Sequence, residues 1–228
     1  MEVKMNFIDV GCAGYIPIPW DKERCGKYID NILVFDPLCG ELNYLNNEFS
    51  KYTVYKYAAF DEEGRRPFYI CKRKRVSSLF PPNRDILIPY IEYLNVLRKP
   101  EIYYIDKYDI EEIRQVECIR LDSAIDDFYI DFDFLKVDTE GGDFQVIKSL
   151  GKYLDTQIIG IHTELYFKEL YEGISLFDEV DSFLKEHNFY MAKKLNGVED
   201  YWSNFLYIRN CDEKKEQINS IKDAYGAI

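Results

Sequence analysis

The chain contains 228 residues, of which 47% are hydrophobic and 31% are charged. This composition is typical of a globular protein and excludes a disordered or fibrous one, and the length fits one domain or one domain with an insertion. The formal net charge of −12 argues against DNA or RNA as a substrate, because nucleic-acid affinity depends on cationic side chains that neutralise phosphates.

The distribution of cysteines indicates reduced thiols. Six cysteines are scattered along the chain without a C-x-x-C pair or a neighbouring histidine, so neither a zinc site nor a disulfide framework is expected. The first residues run directly into a predicted strand, and no apolar stretch of about 18 residues occurs. We therefore expect neither a signal peptide nor a transmembrane span, and a cytoplasmic location.

Apolar runs bounded by turn residues alternate with helical stretches, a pattern that predicts a mostly parallel α/β sheet. The predicted elements of the first part are strands over 6–10, 31–35 and 53–60 and helices over 20–29 and 41–50. Residues 61–117 mix a Gly64 turn, several prolines and an aromatic-rich stretch, and we interpret them as an irregular insertion over the sheet. The basic run at 72–75 could meet an anionic substrate, or it is a solvated surface.

Regular structure is predicted to resume in the second half of the chain. The predicted elements are strands over 132–138, 157–164, 189–195 and 204–209 and helices over 143–154 and 175–187. The last two strands, joined by a loop that contains Asn196 and Gly197, are expected to close the sheet as an antiparallel pair. Residues 210–228 are predicted to be a charged tail, frayed or loosely helical, and residues 1–228 to form a single domain.

A glycine-containing loop, Asp9-Val10-Gly11-Cys12-Ala13-Gly14, follows the first predicted strand. Glycines at the carboxyl end of a strand let the backbone approach a ligand closely. A dinucleotide-binding loop would read G-x-G-x-x-G and lead directly into a helix, whereas here the spacing differs and Pro17 and Pro19 remove N–H donors. The loop therefore favours a cofactor without a pyrophosphate.

Asp36 ends the second predicted strand, where a carboxylate can accept hydrogen bonds from both hydroxyls of a ribose. The alternative is a turn aspartate that precedes Pro37. The glycine loop one strand earlier strengthens the ribose interpretation.

With these features in place, the sequence resembles a known family. Six stretches resemble, in order, the motifs of the FkbM-type methyltransferases: 7–17, 34–37, 58–64, 77–79, 119–122 and 134–141, the last being the most distinctive. The resemblance implies a Rossmann-like class I methyltransferase fold, with a mostly parallel seven-stranded sheet and an antiparallel C-terminal strand. It also implies S-adenosylmethionine as methyl donor and O-methylation of a hydroxyl on a sugar, a glycan or a secondary metabolite.

The resemblance also implies a set of cofactor-binding residues. Asp9, Gly11 and Gly14 would line the methionine part, Asp36 the ribose and residues 59–61 the adenine. The complete set is Asp9, Gly11, Cys12, Ala13, Gly14, Asp36, Ala59, Phe60, Asp61 and Asp138. The chain departs from many members in carrying Cys12-Ala13 where they have an asparagine, and in starting almost at the first strand. We expect that the insertion at 61–117 supplies the lid, or that this is one domain of a longer protein.

Methyl transfer to an alcohol needs a positioned acceptor oxygen and a group that takes its proton. Asp138 ends one predicted strand, and His162 and Glu164 lie two apart on the next, hence on one face. We predict Asp138 next to the reacting groups, with His162 as general base and Glu164 nearby, although His162 could instead be a hydrogen-bonded structural residue. Glu140 could anchor its turn or join Asp138 and Glu164 around Mg²⁺, and Asp143 is expected to cap its helix.

Two other functions remain open at this stage. One is a nicotinamide-dependent oxidoreductase on a similar sheet, and the other is a non-catalytic cofactor-binding module of a larger glycan-assembly protein. Binding of S-adenosylmethionine or of NAD(P) separates the first from the methyltransferase interpretation.

Overall fold

The structure is a computed structural model that describes residues 3–12, 28–39, 52–97 and 103–227. Its strands in these ranges are β1 (Met5–Val10), β2 (Ile29–Phe35), β3 (Tyr52–Tyr55), β4 (Ala58–Ala59), β5 (Gly64–Cys71), β6 (Ile110–Ile119), β7 (Phe134–Val137), β8 (Gly160–Tyr166), β9 (Phe189–Val198) and β10 (Trp202–Arg209). Its α-helices are α1 (Arg84–Leu97), α2 (Leu121–Ile125), α3 (Asp143–Lys148), α4 (Lys152–Thr156), α5 (Phe177–Glu186) and α6 (Lys215–Ala224). The predicted helix over 41–50, most of that over 20–29, and Ala13 and Gly14 lie outside the described residues.

Within the described residues, seven strands form the main sheet in the order β3-β2-β1-β7-β8-β10-β9. β10 runs antiparallel to both of its neighbours, and the other adjacent pairs are parallel. The predicted Rossmann-like sheet with an antiparallel C-terminal strand is therefore confirmed. The chain order reverses between β1 and β7, and ligands of open α/β sheets bind at such a point, beyond the carboxyl ends of the strands.

Both faces of the sheet are covered, which explains why its central strands read as continuous apolar runs. On one face, Ile8, Leu135 and Ile161 belong to a buried cluster that includes residues of α2 to α5. On the other face, Phe7 and Phe134 pack in a cluster with Ile218 and Ile221 of α6. The 210–228 tail predicted to be frayed or loosely helical thus contains a regular helix that is anchored to the core by its apolar side chains.

Residues 61–117, which we call the middle segment, lie in the chain between strands of the main sheet, as an insertion does, but they form regular structure, so the prediction that they are irregular is wrong. Strands β4, β6 and β5 form a second, three-stranded sheet in that order, and α1 lies between β5 and β6 in the chain. The single strand predicted over 53–60 is split between β3 in the main sheet and β4 in the second sheet. Pro67 is accommodated because β5 lies at a sheet edge, where a missing N–H is tolerated.

Two further boundaries differ from prediction. The helix predicted over 143–154 is interrupted between α3 and α4, where Gly151 has φ +50° and a Cβ would come within 2.4 Å of Asp122 Oδ2. Asn196 and Gly197 lie inside β9, and the chain turns after Val198 instead, where Asp200 has φ 68°. Gly197 is required by the neighbouring strand, since a Cβ there would lie 2.4 Å from the carbonyl oxygen of Trp202. No helix in the described ranges has the length and apolarity needed to cross a bilayer.

Candidate active site

A buried lysine joins the two central strands at the carboxyl edge of the sheet. Lys136 on β7 pairs in register with Asp9 on β1, and its Nζ lies 3.3 Å from Asp9 Oδ1. The same ammonium donates a hydrogen bond to the Gly11 carbonyl oxygen at 3.1 Å and lies 3.7 Å from Asp138 Oδ2. One cation therefore ties the glycine turn to the aspartate that follows β7.

The charges of this pair are set by burial and by each other. Burial raises the pKa of Asp9 to about 6, although Lys136 pulls it down. Burial lowers the pKa of Lys136, but the carboxylates of Asp9 and Asp138 outweigh that effect and keep the amine protonated. The Lys136–Asp9 contact is within ion-pair range but is not directed as a hydrogen bond, since Asp9 Oδ1 has no hydrogen-bond partner in the described structure.

The turn after β7 is held by close backbone approach and by Asp143. Gly11 has φ +74°, and a Cβ there would lie 2.0 Å from the carbonyl oxygen of Asp138. Asp143 Oδ1 accepts hydrogen bonds from the backbone N–H and hydroxyl of Thr139, at 2.8 and 2.7 Å. Its Oδ2 accepts from the Thr163 hydroxyl and from the Glu164 N–H. Asp143 therefore holds the turn against β8. The prediction that its side chain caps α3 is wrong.

Three carboxyl groups converge at the carboxyl ends of β7 and β8. Glu140 Oε2 accepts hydrogen bonds from the hydroxyls of Tyr171 at 2.7 Å and Tyr166 at 3.3 Å. Glu164 Oε1 accepts from Tyr166 at 2.5 Å, and no described residue donates to Glu164 Oε2. The Asp138 side chain is 34% exposed. Desolvation, reinforced by the neighbouring Asp138, raises the pKa of Glu140 to about 8 and that of Glu164 well above its usual value.

Two adjoining cavities open at this edge, and we call them the first and the second cavity. The first encloses about 590 Å³ and the second about 910 Å³, and both volumes include space that is open to solvent. The first is lined by Val10, Gly11, Phe35, Asp36, Pro37, Leu38, Ala58, Ala59, Phe68, Lys74, Arg75, Ser77, Leu79, Asp138, Thr139, Glu140 and Gly142. The second is lined by Gly11, Arg73, Arg75, Val76, Tyr90, Lys107, Tyr108, Asp138, Glu140, Glu164, Tyr166, Leu170, Tyr171 and Trp202. Gly11, Arg75, Asp138 and Glu140 line both.

The predicted cofactor-binding residues are distributed unevenly around the first cavity. Gly11, Asp36, Ala59 and Asp138 line it, and Asp36 Oδ1 also accepts a hydrogen bond from the Leu38 N–H at 2.8 Å, as a turn aspartate does. The other described members do not line it. Asp9 lies behind the glycine turn on Lys136, Cys12 is buried in an apolar cluster, Phe60 packs against Phe80, and Asp61 pairs with Lys148.

His162 does not converge with Asp138 and Glu164, contrary to expectation. It lines neither cavity, and both ring nitrogens are engaged, Nδ1 with the Tyr225 hydroxyl at 2.8 Å and Nε2 with Asn204 Oδ1 at 3.1 Å. Burial lowers the pKa of His162 to about 4, assisted by Lys136. This placement favours the structural interpretation of His162.

In the ranges that the structure describes, no three His, Cys, Asp or Glu side chains are grouped so as to hold a metal ion. The option of Mg²⁺ on Asp138, Glu140 and Glu164 thus gains no support. Lys136 was missed at the sequence level, although a lysine inside a buried run, level with an aspartate on the adjacent strand, was an available signal. Lys107 and Tyr171, which line the second cavity, were also missed, because no motif in the neighbouring sequence marks them.

The fold and the site together define a class of protein. A seven-stranded sheet with a reversed final strand, and cavities at the carboxyl edge near its switch point, is the architecture of class I methyltransferases. The family model described as "Methyltransferase FkbM domain" matches residues 36–191, and the chain therefore belongs to the FkbM methyltransferase family. No curated protein and no solved structure matches the chain. The matched range includes the middle segment and begins after the glycine loop.

Replacing Lys136 with methionine should destabilise the protein by about 3–5 kcal/mol at pH 7, because it leaves the Asp9 carboxylate buried without its cation. The double variant Asp9→Asn/Lys136→Met removes both charges and should lose less stability than Lys136→Met alone. Urea unfolding at pH 7 measures both. Equal stability of Lys136→Met and the unmodified protein would show that the Lys136–Asp9 ion pair does not stabilise the fold.

The raised pKa of Glu140 makes stability depend on pH. The folded protein holds the Glu140 proton up to about pH 8, whereas the unfolded chain releases it near its ordinary pKa of 4.5. Stability should therefore fall as pH rises through this window. Glu140→Gln, which mimics the protonated form, should flatten the decline between pH 6 and 8, and the exposed Glu172→Gln should not. If stability depends on pH in the same way in Glu140→Gln and in the unmodified protein, Glu140 is not the cause of the decline.

Proposed function

We propose that the chain is an S-adenosylmethionine-dependent O-methyltransferase whose acceptor is a hydroxyl on a sugar, a glycan or a related metabolite. The observation that carries the proposal is the meeting of two cavities at Asp138. One cavity lies at the ends of β1 and β2, where a cofactor is expected in this fold, and the other contains carboxyl groups suited to proton transfer.

The polar and apolar groups that line the first cavity suit S-adenosylmethionine. Asp36 offers a carboxylate, a group that only accepts hydrogen bonds when ionised and therefore suits ribose hydroxyls. Ala58, Ala59 and Leu79 provide apolar lining for an adenine ring. When bound, the cofactor supplies an electrophilic methyl group on a cationic sulfur. We propose Gly11, Asp36, Ala59 and Asp138 as the residues that hold it.

The second cavity fits the acceptor. Glu164 presents an oxygen to which no described residue donates, and its raised pKa makes it a stronger base than an ordinary carboxylate. We propose that Glu164 takes the proton of the acceptor hydroxyl. Asp138, at the junction of the cavities, orients that hydroxyl, and Tyr166 holds the Glu164 carboxyl in place.

The middle segment is proposed to be the lid of the site. Phe68 and Leu79 line the first cavity, and Tyr90 and Tyr108 line the second. Aromatic side chains present large apolar faces with a polar tip, which suits the mixed surface of a sugar. Exclusion of water by this segment would protect the methyl group from hydrolysis.

Asp36→Ala should weaken binding of S-adenosylmethionine and S-adenosylhomocysteine by about 10- to 100-fold, the value of one charge-assisted hydrogen bond. Asp30→Ala, at the other end of the same strand, should bind like the unmodified chain. Isothermal titration measures both, with NAD(P) as a further ligand. Binding of NAD(P) in place of S-adenosylhomocysteine would favour an oxidoreductase, and binding of neither would reject the proposed cofactor.

Glu164→Gln should lower methyl transfer by about 10²–10⁴-fold while sparing cofactor binding, because it removes the proton acceptor. His162→Gln should retain most of the activity. The assay follows tritiated methyl transfer to a panel of sugars, nucleotide sugars and glycan fragments. Loss of activity in His162→Gln with full activity in Glu164→Gln would return the base assignment to His162. Cofactor binding without transfer to any acceptor would favour a non-catalytic module.

A further inference from the structure

The second cavity has walls of opposite character. Asp138, Glu140 and Glu164 line the side formed by the main sheet, whereas Arg73, Arg75 and Lys107 line the side formed by the middle segment. The proposed function uses the acidic side and gives no role to Arg73 or Lys107.

The basic run at 72–75 divides between two roles. Lys72 pairs with Asp106, and Lys74 pairs with Glu111 at 2.9 Å, so these two lysines fasten the segment to neighbouring residues. Arg73 and Arg75 line the second cavity. The run is therefore more than a solvated surface.

Lys107 completes the cationic wall. Its Nζ lies 4.8 Å from the ring centre of Tyr108, and no carboxylate of the described chain lies within ion-pair distance of it. Burial and the nearby Arg73 cation together lower the pKa of Lys107 to about 8, against the opposing effect of Glu140. Arg73 likewise has no carboxylate partner among the described residues. Two neighbouring cations without a nearby carboxylate repel each other, and an anionic ligand would offset this repulsion.

The opposite wall does not neutralise these cations. Of its three carboxyl groups, only Glu140 raises the pKa of Lys107, and burial raises the pKa of Glu140 itself to about 8, so it carries little negative charge at pH 7. The cavity therefore has an excess of positive charge on one side. Between the two walls lie aromatic side chains, among them Trp202, whose Nε1 donates to the Tyr90 hydroxyl at 2.9 Å.

We propose that the methyl acceptor is a phosphate-bearing sugar, with its phosphate bound by Lys107 and Arg73 and its reacting hydroxyl facing Glu164. Arg75 lies where the two cavities meet. An arginine fork together with an ammonium suits the several oxygens of a phosphate, and the aromatic side chains accommodate the sugar ring. This inference rests on the proposed function, because it takes the second cavity as the acceptor site.

The test is isothermal titration of the full chain with glucose 1-phosphate, glucose and glucuronate, each with and without saturating S-adenosylhomocysteine. Glucose 1-phosphate should bind at least about tenfold more tightly than glucose, the value of one charge-assisted hydrogen bond. Lys107→Met should abolish most of this difference. Lys107→Arg should keep it, and so should Lys72→Met, which removes an equal charge outside the cavity.

A second readout identifies the group that responds. At pH 8, binding of glucose 1-phosphate should take up protons, because the phosphate restores the charge of Lys107, and titrations in two buffers of different ionisation enthalpy measure this uptake. Lys107→Arg should bind with reduced uptake.

Equal binding of glucose and glucose 1-phosphate would overturn the inference. Equal weakening by Lys72→Met and Lys107→Met would also overturn it, since only the general surface potential would then matter. Glucuronate binding as tightly as glucose 1-phosphate would replace phosphate recognition with carboxylate recognition. S-adenosylhomocysteine binding without phosphate discrimination rejects this inference alone, whereas discrimination without S-adenosylhomocysteine binding rejects the proposed function and keeps the phosphate site.

Discussion

Lys136 is the side chain on which the carboxyl edge of the sheet depends. A lysine in the centre of a buried strand needs oxygen partners, and Asp9, the Gly11 carbonyl and Asp138 supply them from both central strands. Because all three lie within reach of one ammonium, the glycine turn and the turn after β7 must come together. The position of Asp138 between the two cavities follows from this constraint.

The carboxyl groups at the carboxyl ends of β7 and β8 lie close together but differ in the groups that donate hydrogen bonds to them. Each has a different set of donors: Thr139 and Thr163 for Asp143, tyrosine hydroxyls for Glu140, and one tyrosine for Glu164. Asp143 and Glu140, which accept more hydrogen bonds from side chains, fix the turn. Glu164, which accepts one, is the group that we propose exchanges a proton. Differences in hydrogen bonding thus divide chemically similar residues into structural and reactive roles.

The sequence predicted the main sheet well because strands buried on both faces leave continuous apolar runs, as residues 134–137 do. It failed for α1, although Leu87, Tyr90, Ile91 and Leu94 follow helical spacing, because Pro89 was taken as a sign of irregular structure. His162 was misplaced because strand alternation gives the face of the sheet but not the distance from its edge. Lys107 could not be found, since its neighbours are set by how α1 and β6 fold back on the main sheet.

The division of the predicted third strand between two sheets has a mechanical consequence. After β3 the chain leaves the main sheet and enters the second one at β4, and the first cavity takes lining from both, with Phe35 and Asp36 on one side and Ala59 and Phe68 on the other. In the described residues, no backbone ladder connects the two sheets. A molecule bound there would contact both the main sheet and the second sheet and would link them through its own contacts.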